Sequence, residues 1–162
     1  MDETLKFVRS YNDKQVYLLS APSLDCIPSH LGPPGPHFCL LLALDARGAS
    51  EDALSTLARS VLSQGVVYVC AWGPECKKVE LQFDYACVDL HLQTTVESVI
   101  LTTSHPEESL KDVVEFFLET ADPAADYKFN TRTWLPVAVG SAPWAKEIEE
   151  LILSARSSDD LE

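Results

Sequence analysis

The chain has 162 residues, 46% of them hydrophobic and 23% charged, which are the proportions of one ordinary globular domain. That length buries enough surface to hold a core without a metal or a disulfide, and the composition excludes collagen-like, low-complexity and wholly disordered classes. Twenty-five acidic against twelve basic residues leave a formal charge of -13, a field that repels phosphate backbones and argues against nucleic acid as a direct partner.

The first segment, residues 1–37, is irregular. A short strand-like run, Gln15 to Leu19, precedes a stretch holding Pro22, Pro28, Gly32, Pro33, Pro34, Gly35 and Pro36. Proline lacks the amide donor and fixes φ, so the stretch reads as an arm or lid across the domain rather than as helix or central strand. Residues 38–156 read as a single α/β domain and 157–162 as a frayed tail.

From Phe38 the pattern is regular. Phe38 to Leu44 is apolar without alternation, as a strand covered on both faces must be. Ser50 then serves as N-cap before Glu51 and Asp52, with Leu54, Leu57, Ala58, Val61 and Leu62 at helical spacing and Gly65 closing the helix. A second buried strand, Val66 to Ala71, leads through Trp72 and Gly73 to Pro74, placed at the first position of a helix carrying Val79, Phe83, Ala86, Cys87 and Leu90. In the third unit Val99 to Thr103 is the strand, Ser104 or His105 caps, and Pro106 opens a helix through Val113, Val114 and Phe117. In the fourth, Trp134 to Val139 is the strand, demoted by Pro136 to an edge or a strand start, and Pro143 opens a helix through Ile148, Leu151 and Ile152. Four strand-then-helix units predict a three-layer α/β sandwich of flavodoxin or Rossmann type, with a mostly parallel sheet of four or five strands and helices on both faces.

In such sheets ligands bind outside the carboxyl ends of the strands, which selects Asp45, Arg47, Trp72, Gly73, Thr103 and His105 as candidate ligand-binding residues. Cys76, in the first turn of the second helix, is a candidate nucleophile with His105 as base and Asp45 or Glu107 orienting it; the plain alternative is a packed helix residue. A flavodoxin-like strand order of 2-1-3-4 would keep the second and third strands apart and strain that pairing. Arg47 with Ser50 and the free amides of the first helix could hold one phosphate or carboxylate, although neither GxGxxG nor GxxxxGK[ST] occurs. Trp72 and Trp144 could stack a planar ligand or simply lid the core. The pairs Glu149-Glu150 and Asp159-Asp160 read as solvated surface charge, and no GxSxG elbow supports a hydrolase.

Cys26, Cys39, Cys70, Cys76 and Cys87 are odd in number, irregularly spaced and without zinc-site spacing, a pattern expected of free thiols in a reducing cytoplasm. No metal or cofactor is implied. The N-terminal residues carry no leader-like apolar run, and Phe38 to Leu44, the longest apolar stretch, is far short of a membrane span. A cytoplasmic protein without membrane association is the expectation.

The run Val67 to Cys76, with Thr102 to Leu110 and Phe116 to Leu118, resembles a family of small bacterial domains of unknown function. The resemblance covers residues 38–121, implies a compact α/β domain in a bacterial cytosol, and carries no catalytic residues over.

Residues 1–106 carry twelve acids and seven bases, a net of -5, whereas 107–162 carry thirteen and five, a net of -8. A protein partner with a basic surface would therefore meet the C-terminal third, unless the acids only maintain solubility. With no complete catalytic motif, the first expectation is a non-enzymatic interaction module, such as an immunity protein or a regulatory subunit of a bacterial defence or stress system. The alternative is a small-molecule or nucleotide binder, or an enzyme, using the cleft at the strand ends. The oligomeric state is not legible.

Overall fold

The computed structural model describes residues 5–28, 30–92 and 95–157. In chain order its strands are β1 (Lys6–Tyr11), β2 (Lys14–Ala21), β3 (His37–Ala43), β4 (Val66–Trp72), β5 (Leu101–His105) and β6 (Thr131–Val139). Its helices are α1 (Glu51–Ser63), α2 (Cys76–Asp89), α3 (Leu110–Glu119) and α4 (Ala142–Ser154). The strands form one sheet in the order β1-β2-β6-β3-β4-β5, parallel throughout except that β1 pairs antiparallel with β2.

The order explains the layers. The chain steps from β3 through β4 to β5 in one direction, then β5 to β6 returns past β3. Right-handed crossovers therefore place α1 and α2 together on one face and α3, with α4, on the other. Covered on both sides, β3, β4 and β6 are buried along almost their whole length, which is why their sequences lack alternation. The fold is thus the expected three-layer α/β sandwich, with six strands instead of four or five.

The two additional strands come from the segment read as an irregular arm. The run 15–19 lies inside β2, which is longer than expected and hydrogen-bonded to both β1 and β6. The described residues between 22 and 36 then make a crossover with no α-helix, only the short 3-10 helix Leu24–Cys26, leaving the carboxyl end of β2 and entering β3 at its start. That path is anchored by Leu31 N–H on the Gln64 side chain at 2.6 Å and by the Thr133 hydroxyl donating to the Pro34 carbonyl at 3.0 Å. Gly65, at φ 100°, lets it pass, since a Cβ there would stand 2.2 Å from the Pro36 carbonyl oxygen.

Several local readings are corrected. β6 is an interior strand, flanked by β2 and β3, not an edge. The β2–β6 ladder skips the two positions between Val16↔Trp134 and Leu19↔Val137, so Pro136 falls in a gap of that ladder while it stands opposite Leu41 of β3. The α2 helix begins at Cys76 rather than at Pro74, because Glu75 turns left-handed at φ 59°. β5 runs two residues further than expected, so neither Ser104 nor His105 caps α3; the cap is Ser109, whose hydroxyl accepts from the Asp112 amide. Ser50 caps α1 and Pro143 lies in the first turn of α4, as their sequences indicate; the cap of α4 is Ser141, whose hydroxyl accepts from the Trp144 amide. At the C-terminus Ser157 is buried and its hydroxyl accepts from Arg9, so the expected fraying does not begin there. Residues 158–162, including Asp159 and Asp160, lie outside the described residues, as do residues 1–4.

Candidate functional site

Strand order reverses between β3 and β6, and the carboxyl ends of these two strands frame an open cleft of about 360 Å³. Leu44, Asp45, Gly140, Ser141 and Trp144 line it, and Ser23 and Leu24, the start of the proline-rich crossover, form a further wall. Of the expected ligand-binding residues, Asp45 is the one in this lining. Its carboxylate is taken up by Arg47: Oδ1 accepts from the Arg47 backbone amide and Nε, both at 3.0 Å, and Oδ2 from Nη2 at 2.8 Å. Those hydrogen bonds hold the exposed Asp45 carboxyl below its usual range. An anion recruited by Arg47 would have to displace Asp45, and the Ser50 hydroxyl is committed to the Ala53 amide.

Trp72, Gly73, Thr103 and His105 lie one and two strands away, Trp72 and Gly73 at the end of β4, Thr103 in the middle of β5 and His105 at its end. Trp72 donates its indole N–H to the Glu108 carbonyl at 2.8 Å and meets Trp144 edge to face, centroids 4.9 Å apart at 74°. The two rings therefore do not form parallel walls for a planar ligand. Gly73 sits at φ 119° where a Cβ would approach the Leu44 carbonyl oxygen to 2.2 Å, so it welds the β3 and β4 loops together.

His105 is buried beside Phe116 and has both ring nitrogens engaged. Nδ1 lies 2.8 Å from a Glu108 carboxylate oxygen and Nε2 lies 3.0 Å from the Thr103 hydroxyl, which in turn is 3.4 Å from the Cys70 sulfur. The Thr103 hydroxyl donates to the Cys70 sulfur, which leaves its oxygen to accept from Nε2, while Nδ1 faces the Glu108 carboxylate. Hydroxyl, imidazole and carboxylate lie in a row, but the row differs from a nucleophile, base and orienting acid, since the hydroxyl proton goes to the Cys70 sulfur and not to the ring. Glu108, not Asp45 or Glu107, is the carboxylate on His105. Its spacing of three residues was the only signal in the sequence.

Because β4 and β5 are neighbours, with Trp72 opposite His105, the flavodoxin-like order that would have separated them does not hold. Cys76 and His105 are brought together, but through the backbone. The His105 amide and the Cys76 amide bond the sulfur and favour a thiolate, yet burial outweighs them and raises the Cys76 thiol above its ordinary value. At 1% exposure and with the imidazole turned to Thr103 and Glu108, Cys76 sits as a packed helix residue. Cys39, Cys70 and Cys87 are likewise buried free thiols pushed up by burial, Cys70 to about 12 and Cys87 to about 11.

A second concavity was not anticipated from the sequence. Between α3 and α4 runs a groove of about 330 Å³ with an apolar floor of Tyr11, Val114, Leu118 and Leu151. Glu115 and Glu119 stand on its α3 side, and Lys111 and Arg156 also line it. The surrounding layer exposes Glu107, Asp112, Glu115, Glu119, Glu147 and Glu150 against Lys111, Lys146 and Arg156. Tyr11, from β1, and Leu151 reach this groove only through the tertiary fold. No described helix is long and apolar enough to cross a membrane.

A comparison with curated proteins gives no match. The family model described as a domain of unknown function (DUF7684) matches residues 17–155, taking in the proline-rich crossover and the fourth unit as well as the core, and the chain belongs to that family.

Proposed function

We propose that the chain is a non-enzymatic interaction module that docks a basic, amphipathic segment of a protein partner in the groove between α3 and α4. One observation carries this reading: an apolar-floored groove lies within a layer whose exposed acids outnumber its bases. Apolar side chains of the segment would fill the floor over Leu118 and Leu151, while its lysines or arginines face Glu115 and Glu119. The acidic field would speed encounter with such a partner and repel nucleic acid. The setting we infer is that of an immunity protein or regulatory subunit, in keeping with the bacterial cytosolic family the sequence resembles.

The test uses two synthetic helical peptides with the same leucine spacing, one carrying lysines and the other glutamates on the polar face. The lysine peptide should shift the methyl resonances of Val114, Leu118 and Leu151, more weakly as salt rises, and Glu115→Lys with Glu119→Lys should weaken binding about tenfold or more. Equal binding of both peptides, or shifts confined to another face, overturns the reading.

A second reading is supported by the cleft at the reversal of strand order, where a small molecule would lie between Asp45, Ser141 and Trp144. Native mass spectrometry of gently purified protein tests it. A retained mass of a few hundred daltons that Ser141→Trp abolishes favours it; a bare chain counts against it.

A further inference from the structure

The α2 helix is apolar on two sides. Val79, Phe83, Ala86 and Cys87 are buried against the sheet, but Leu81, Tyr85 and Val88 are 46%, 55% and 63% exposed on the outer side. With Lys77 and Asp89, also exposed, they follow a spacing of i, i+4, i+8, i+11 and i+12, one stripe down the outside of the helix. This stripe lies on the α1–α2 layer, across the sheet from the acidic groove. A helix usually hides such a stripe against a neighbour.

We propose that the stripe is the self-association surface of the protein, two copies packing α2 against α2 antiparallel about a two-fold axis. The arrangement of charge selects a second copy over other occupants. Lys77 and Asp89 stand at opposite ends of the stripe, about 18 Å apart along the helix axis. Their midpoint, residue 83, is also the midpoint of Leu81 and Tyr85. An axis passing there sets Lys77 of one copy opposite Asp89 of the other and Leu81 opposite Tyr85, twice each, as an isologous interface requires. A parallel pairing would instead set lysine on lysine and aspartate on aspartate. Among the described residues Lys77 has no ion-pair partner. Asp89 holds Arg59 at 2.7 Å through Oδ2, which leaves Oδ1 to accept from the second copy's lysine. A contact of one helix on one helix is small, so the dimer is a weak, reversible one.

Sedimentation across a concentration series should show monomer passing to dimer, and Tyr85→Glu should weaken the dimer at least about tenfold, because a central aromatic anchor is lost and a carboxylate is set against Leu81 of the other copy, twice. The decisive arm uses Lys77→Glu and Asp89→Lys as separate full-length proteins. Each alone sets like charges across both ends of the interface and should stay monomeric. Mixed, they restore two opposite-charge pairs, and native mass spectrometry should find the heterodimer in preference to either homodimer. A misfolded variant would not be rescued by mixing, and circular dichroism of each checks its fold. Wild-type protein that stays monomeric throughout, a dimer unmoved by Tyr85→Glu, or no preference for the heterodimer overturns the proposal. Glu115→Lys with Glu119→Lys should leave the dimer unchanged, which separates this surface from the groove.

Discussion

His105 and Glu108 form an ion-pair-distance hydrogen bond, Nδ1 to carboxylate oxygen at 2.8 Å, between a buried ring and a half-exposed carboxylate. Glu108 thereby fixes the ring so that Nε2 meets Thr103, and its own carbonyl receives the Trp72 indole. One turn before α3 thus ties together β4, β5 and the helix that follows. Glu108→Ala should leave a buried imidazole N–H without its acceptor and cost about 1–2 kcal/mol, while Glu108→Gln, which keeps an acceptor oxygen, should cost less. Urea denaturation of the two variants measures the difference, and equal stabilities would show that the bond contributes nothing.

Gly73 has no tolerable substitute. Gly73→Ala combines φ 119° with a Cβ 2.2 Å from the Leu44 carbonyl oxygen, so the β3 and β4 loops must move apart. The expected cost is about 2–4 kcal/mol, from backbone strain and displaced loop packing together. Gly48→Ala, where nothing stands within 4 Å, serves as the control for φ alone. Similar melting temperatures for the two variants would refute the steric account.

Buried thiols give a test at alkaline pH. Cys70 is raised from an ordinary 9.0 to about 12 by burial, and Cys87 to about 11, so in the folded chain they keep protons that the unfolded chain releases. Their contribution is whole below pH 9 and is lost as pH rises toward these folded values, because the unfolded state binds fewer protons there. Melting temperature should therefore fall above about pH 9, and Cys70→Ala should flatten that fall even though it lowers stability at neutral pH. A slope unchanged in Cys70→Ala would remove Cys70 from the explanation.

The start of α3 gives a finer test. Ser109 accepts from the Asp112 amide at 3.1 Å. Ser109→Ala should cost about 1 kcal/mol and Ser109→Asp should retain most of the stability, since the cap needs only a short side-chain acceptor. Thermal unfolding of the pair decides whether the helix begins there.

The sequence by itself determined what depends on neighbours along the chain. Uninterrupted apolar runs at 38–44 and 66–71 required strands covered on both faces, and Ser50 and Pro143 marked helix starts through local hydrogen bonding and a fixed φ. Strand order was decided only by tertiary structure, because pairing is a long-range choice that no local pattern encodes. That choice placed β6 between β2 and β3 despite Pro136, set His105 beside Trp72, and drew the first strands into the sheet. Glu108 was hidden for the same reason: its partner's orientation depends on the face of β5 that packs under Phe116. The groove and the outer stripe of α2 divide along this line too. Periodicity alone lists Leu81, Tyr85 and Leu151 as apolar residues on helices, but which side of each helix meets the sheet is fixed by right-handed crossovers and by the burial of the opposite face.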